Sequence, residues 1–148
     1  MKLDRVLVPI DFSDQSRNAL HNADELVHDR GGQLTLLHVH SIVGVAVLDF
    51  TYVERPQDMA RITEAAEAHL KQWAAELKTP RARVQIEVAT GEPVSEIVRH
   101  TEGCDLAVLG THGRNGLTRF LMGSVAERVV RGAHCSVLIV RGAVTTPA

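Results

Sequence analysis

Between Leu106 and Val125 the chain concentrates residue types that handle phosphate. Gly110-Thr111-His112-Gly113 follows the aliphatic run Leu106-Ala107-Val108-Leu109, nine residues intervene, and Gly123-Ser124 then opens a helix. A glycine after a buried strand lets the main chain approach a ligand with no Cβ in the way. A helix N-terminus offers free N–H groups to an anion. Arg114 and Arg119, in the intervening segment, can neutralise phosphate charge. The arrangement reads as a phosphate cradle with a glycine turn on each side. Any one of these glycines alone would serve a tight turn equally well; the spacing of the set points to phosphate. No Gly-Lys-Ser/Thr occurs, so this is not a Walker A loop, and the glycines follow the fourth strand, not the first, unlike a dinucleotide fingerprint. The Gly-x-x-Gly loop of RNA-binding KH modules lies between two helices in more basic proteins.

Other chemistry-bearing residues are scattered. Asp11 stands at the end of the first aliphatic run, where a carboxylate can accept from hydroxyl or amino groups or cap a helix ahead of Ser13. The two uses are compatible. Of the eight histidines, His38 and His40 share one strand face and His112 lies in the glycine loop. No cysteine or carboxylate accompanies them at metal-ligand spacing, so no metal site is expected; structural or surface roles are the reading for most, and His112 is a candidate phosphate neighbour. Cys104 and Cys135 are the only cysteines and imply no disulfide framework. A buried reduced thiol is the reading for each, with a redox pair as the alternative if their two strands are neighbours.

The elements that must position these residues alternate along the chain. Arg5 to Pro9 is a strand through Val6-Leu7-Val8, with Pro9 at its end, where a missing donor matters least. Ser13 caps a helix reaching Arg30, stopped by Gly31-Gly32. Leu34 to His40 is a second strand, followed by a mixed loop, Ser41 to Arg55, that walls the cleft and offers its 45–50 stretch to a partner. In the helix that starts near Pro56, Met59, Ile62, Ala66, Leu70, Trp73 and Leu77 form one apolar face; Thr79-Pro80 ends it. Val84, Ile86 and Val88 alternate with polar residues, as in an edge strand. A short helix runs from Pro93 to about Glu102, Leu106 to Leu109 is the fourth strand, Ser124 to Arg131 the last helix and Val137 to Val140 the last strand. One domain spans 1–142, and 143–148 is a small polar tail. Strands alternating with helices imply right-handed crossovers and a doubly wound parallel sheet. Ligands of such sheets sit beyond the carboxyl ends of the strands.

Composition narrows the function classes. Aromatic residues are 3% of the chain, so the core must be aliphatic, as in parallel sheets covered by helices. The net charge of -2, with no basic stripe, argues against nucleic acid as a partner. No apolar run is long enough to span a bilayer, and the charged start is unlike a signal peptide. A cytoplasmic location is expected.

The motifs resemble one family closely. Gly110-x2-Gly113-x9-Gly123-Ser124 is similar to the ATP-binding signature of universal stress proteins, G-x2-G-x9-G-[S/T], and Val6-Leu-Val-Pro-Ile-Asp-Phe-Ser resembles that family's first strand. The likeness runs from about Lys2 to Arg141. One departure is Ser136 after Cys135, where the family commonly carries proline; it touches a strand entry and not the glycine loop.

The resemblance implies a Rossmann-like five-stranded sheet of order 3-2-1-4-5, helices on both faces, as in adenine nucleotide alpha hydrolases. It implies ATP, ADP or AMP as ligand, with or without Mg. Pro9, Ile10, Asp11 and Phe12 would line the adenine and ribose end, and Val39 would offer main-chain hydrogen bonds to the adenine edge. Gly110, Thr111, His112, Gly113, Arg114 and Gly116 would hold ribose and phosphates, and Gly123, Ser124 and Val125 would close on the phosphates. No catalytic residue is implied.

In that strand order the last strand is an edge. Val137, Leu138, Ile139 and Val140 carry no edge-protecting charge or proline, so a second copy would pair there about a two-fold axis. The expected function is a nucleotide-dependent regulator or sensor acting on a further protein partner. The alternatives are a slow ATPase or self-phosphorylating protein with Ser124 as acceptor, and a dimeric interaction module that needs no nucleotide.

Overall fold

A computed structural model describes residues 1–41, 46–47, 50–51, 56–111 and 122–142 of the 148. The tail expected at 143–148 lies outside the described residues. The main sheet has five strands, all parallel: β1 (Arg5–Pro9), β2 (Gln33–His40), β5 (Val84–Thr90), β6 (Leu106–Gly110) and β7 (Ser136–Val140). Their spatial order is β5-β2-β1-β6-β7, which is the expected 3-2-1-4-5 when main-sheet strands alone are counted. Within the loop expected from Ser41 to Arg55, β3 (Ala46–Val47) and β4 (Phe50–Thr51) pair antiparallel as a separate ribbon. Two residues per strand are too few to print a period on the sequence.

The helices are α1 (Asp14–Val27), α2 (Pro56–Ala75), α3 (Pro93–His100) and α4 (Ser124–Gly132). Each strand of the sheet's middle sends alternate side chains to opposite faces, and both faces are apolar. Val6, Val8, Leu34, Leu36 and Val108 meet Leu20, Val27, Leu70 and Trp73 of α1 and α2. On the other face Leu7, Leu37, Ala107 and Leu109 meet Val94 and Ile97 of α3 and Ala126 and Val129 of α4. This double burial is why these strands read as continuous aliphatic runs.

The helix ends differ from the sequence-based limits, α4 by a single residue, at Gly132. α1 stops at Val27; His28–Arg30 tighten into a 3₁₀ turn, and Gly31 closes it at φ 77°. α2 ends at Ala75, short of Thr79-Pro80, and α3 at His100, short of Glu102. After α2, Asp24 of α1 takes over. Its carboxylate, 3% exposed, accepts the N–H groups of Lys78 and Thr79 at 2.8 Å each. Burial pushes this carboxyl up, but the hydrogen bonds from Thr79 and Lys78, aided by His28, outweigh it and hold it below the usual carboxylate range.

Replacing Asp24 by alanine leaves one buried and one half-buried main-chain donor unmet, and unfolding by denaturant should show a loss of about 2–3 kcal/mol. Because the folded pKa is depressed, the stability it contributes is present above the unfolded value, near 4, and is lost as pH falls below it. Asp24→Asn should flatten that acid limb of the stability profile; an unchanged limb would assign it to other carboxylates.

Candidate functional site

Beyond the C-terminal ends of β1, β2 and β6 lies a cleft of about 370 Å³. β2 lies on one side of β1 and β6 on the other, so the chain leaves β1 between two diverging crossovers. In such sheets that is where a ligand fits. The apolar walls come from Pro9, Ile10, Leu37, Val39, Ile97 and Leu109, and the polar groups from Asp11, Ser13, Ser16, Thr111 and Ser124.

The polar rim is organised by how each helix start is capped. In α1, the Ser16 N–H donates to Ser13 Oγ at 3.1 Å, and the Ser13 hydroxyl in turn donates to Asp11 Oδ1. Asp11 Oδ1 also takes the Ser13 N–H at 2.9 Å. Both bonds fall on one oxygen, so Asp11 serves the helix start, and among the described residues no hydrogen bond falls on its Oδ2. In α3, the Glu92 carboxylate caps the N–H groups of Val94 and Ser95 at 3.2 and 2.8 Å. α4 is different: Gly123 occupies its N-cap, and no side chain among the described residues caps it. The Gly123 carbonyl accepts the Glu127 N–H at 3.0 Å. The N–H groups of Ser124, Val125 and Ala126 are then the helix's orphan donors, and all three residues line the cleft. Free donors and the positive end of a helix dipole at one wall of a cleft form an anion-binding surface.

Thr111 brings that helix start to the sheet. Its N–H donates to the Val140 carbonyl at 3.2 Å, and its own carbonyl accepts the Gly123 N–H. The chain leaves β6 and returns to the same point to begin α4, which is what the nine-residue spacing between the two glycine pairs allows. His112, Gly113, Arg114 and Gly116, together with Arg119, lie outside the described residues.

Val39 reaches the cleft through its main chain. The Leu37 carbonyl accepts the Ile10 N–H at 2.7 Å, so Leu37 presents its main-chain groups toward β1. Alternation along the strand turns those of Val39 the same way, but the β1 pairing ends at Pro9↔Leu37. The Val39 N–H and C=O therefore face the space past the end of β1.

Two expectations change. Phe12 does not line the cleft. Its backbone has φ 62°, and its ring turns away to stack on His69 of α2. Gly110 lines the cleft, but its lack of a Cβ answers a different neighbour. A Cβ there would stand 2.8 Å from both the Cβ and the carbonyl oxygen of Gln15, so this glycine lets α1 lie close on β6. Ser16 and Pro93 line the cleft without having been singled out in the sequence; Pro93 is legible as a first-turn proline, and nothing local marks Ser16.

Universal stress proteins provide the comparison. The model of the "Universal stress protein family" matches residues 2–141. The chain belongs to that family. Universal stress protein YxiE of Bacillus subtilis is 33% identical over 93% of this chain and 98% of its own. The solved structure of MJ0577, from Methanocaldococcus jannaschii, superposes with a TM-score of 0.78 at 26% identity, covering 96% of this chain and 98% of that one. A universal stress protein from Archaeoglobus fulgidus, solved in complex with dAMP, shares the fold at 22% identity and TM-score 0.60, covering 93% and 97%.

Among the described residues no three His, Cys, Asp or Glu side chains converge to hold a metal, and no helix is long and apolar enough to cross a membrane. Cys104 and Cys135 precede neighbouring strands and both are free thiols. Burial pushes the pKa of each upward, which keeps them protonated.

The packing role of Gly110 has a direct consequence. Gly110→Ala should destabilise the fold by about 1–3 kcal/mol, since the added methyl meets helix backbone that cannot yield cheaply. Gln15→Ala would not relieve it, because a carbonyl oxygen and a Cβ remain in the way. Recovery of wild-type stability in the double variant would show that the clash is with the flexible part of Gln15.

Proposed function

We infer that this chain is a nucleotide-binding regulator of the cytoplasm, with ATP, or ADP or AMP, held in the cleft, and that it works as a homodimer. The observation that carries the reading is the uncapped start of α4. Of the helices whose caps are described, α1 and α3 meet their first-turn donors with a side chain, and α4 alone offers them to the cleft. Asp11 Oδ2 is suited to ribose hydroxyls, and the Val39 main chain offers one donor and one acceptor, the pair an adenine edge needs. The dAMP complex of the A. fulgidus relative supports an adenine nucleotide. His112, Gly113, Arg114 and Gly116 complete the phosphate side in this reading, with Mg as an optional companion of the phosphates.

A regulatory role is favoured over turnover by the character of the cleft. Among the described residues its phosphate side offers main-chain donors and hydroxyls, which bind charge but do not activate water. For the dimer, β7 is the sheet edge and Leu138 on it is 38% exposed. An aliphatic edge without a charge invites pairing with a second copy.

Denaturing freshly purified protein and identifying the released small molecule by chromatography and mass should yield an adenine nucleotide. Gly123→Asp adds a favoured N-cap with negative charge, so α4 should keep its stability or gain about a few tenths of a kcal/mol. The same carboxylate should repel phosphate and weaken ATP binding by at least about tenfold. Unchanged ATP affinity in this variant would remove α4 from the site. In sedimentation equilibrium the unaltered chain should have the mass of two copies and Leu138→Lys that of one; a single-copy mass for the unaltered chain would sink the dimer.

A further inference from the structure

Phe12 is the described non-glycine residue with positive φ, at 62°. For a bulky aromatic side chain that conformation is costly and persists only where the surroundings over-determine it. Phe12 lies between Asp11 and Ser13, the two cleft-lining residues that share a hydrogen bond. A residue with ordinary φ here would rotate the Asp11 peptide and carry its carboxylate off the cleft rim.

Three rings hold the unusual conformation. His69 of α2 stacks on Phe12 with ring centroids 4.2 Å apart and planes 3° from parallel. Trp73, one turn further along α2, meets Phe12 edge-on at 5.6 Å. His38 of β2 approaches the same ring at 4.7 Å, and its Nδ1 lies 2.7 Å from the Ile10 carbonyl. The segment from Ile10 to Phe12 is thereby tied to β2 on one side and gripped by α2 on the other. His69 is itself exposed on its helix, so its side chain is not there to fill the core.

We propose that the Phe12–His69 stack is a positioning device that holds Asp11 at the rim of the cleft and couples nucleotide occupancy to α2. Among the described residues His69 does not line the cleft; its ring contacts are with Phe12 and Trp73, so it acts through Phe12. The proposal rests on the nucleotide reading above and adds to it a residue remote from the cleft. A ligand that binds Asp11 favours the strained form of Phe12 and with it the stack; losing the stack makes binding pay for restoring that form. Trp73 is the single tryptophan of the chain and stands edge-on to both Phe12 and His69, so its fluorescence reports the state of the stack.

ATP would be titrated into the unaltered protein, His69→Ala and His69→Phe, with affinity read by calorimetry and Trp73 emission followed in parallel. The unaltered protein should show a saturable change in Trp73 emission with the calorimetric midpoint. His69→Ala, a substitution an exposed helical site accepts readily, should raise the dissociation constant about tenfold and reduce the emission change. His69→Phe should restore both, because a flat ring is what the stack requires. Equal affinity and an equal emission change in His69→Ala would overturn the proposal while leaving the nucleotide site standing. Absence of ATP binding to the unaltered protein would overturn both.

Discussion

Val6, Leu7 and Val8 of β1 are each 1% exposed or less, and burying a strand so completely requires helices on both of its faces. Crossovers are right-handed, so a chain that covers both faces must lay its next strand on one side of β1 and, later, another on the opposite side. β2 and β6 do this. The gap that opens where these connections part is a consequence of covering β1. Asp11, Thr111 and the Val39 main chain meet there because each lies within two residues of the end of one of those three strands. The position of the site is thus set by core packing before any ligand is considered.

The glycine pattern, read as one motif, divides into different physical tasks. Gly110 permits contact between α1 and β6, where any side chain would strike Gln15. Gly123 brings no side-chain acceptor to the first turn of α4, and no other described residue supplies one. The first is needed to fold and the second to leave donors available. A signature that spans both couples a packing requirement to a binding requirement, so its presence in a sequence speaks for the fold at one end and for the ligand at the other.

Much of this was legible from the sequence because burial leaves a direct imprint on residue type. Aliphatic runs marked β1, β2 and β6, and alternation at Val84, Ile86 and Val88 marked β5 as an edge. What escaped was set by contacts distant in sequence. Asp24 captures Lys78 and Thr79 across more than fifty residues, so the chain beyond α2 is fixed by a partner that no local pattern announces. The direction of the Phe12 ring is fixed by its contacts with His69 and Trp73 of α2 and His38 of β2, all distant in the chain. The short β3–β4 ribbon carries too few residues to display a period. The site was legible as a set of segments, but the orientation of individual groups within it was not.

The uncapped start of α4 also bears on how a bound anion would be felt elsewhere. Orphan donors cost stability unless water, a side chain or a ligand meets them. An anion seated there would supply the cap that Gly123 withholds and would firm the first turn of α4. That turn is joined to the sheet edge by two main-chain hydrogen bonds through Thr111, one to Gly123 and one to Val140 at the end of β7. The start of α4 and the end of β7 therefore share Thr111 as a common hydrogen-bonding partner. The geometry of the first turn of α4 is thus fixed from the sheet side by main-chain bonds alone, which leaves the side of that turn facing the cleft free of structural duty.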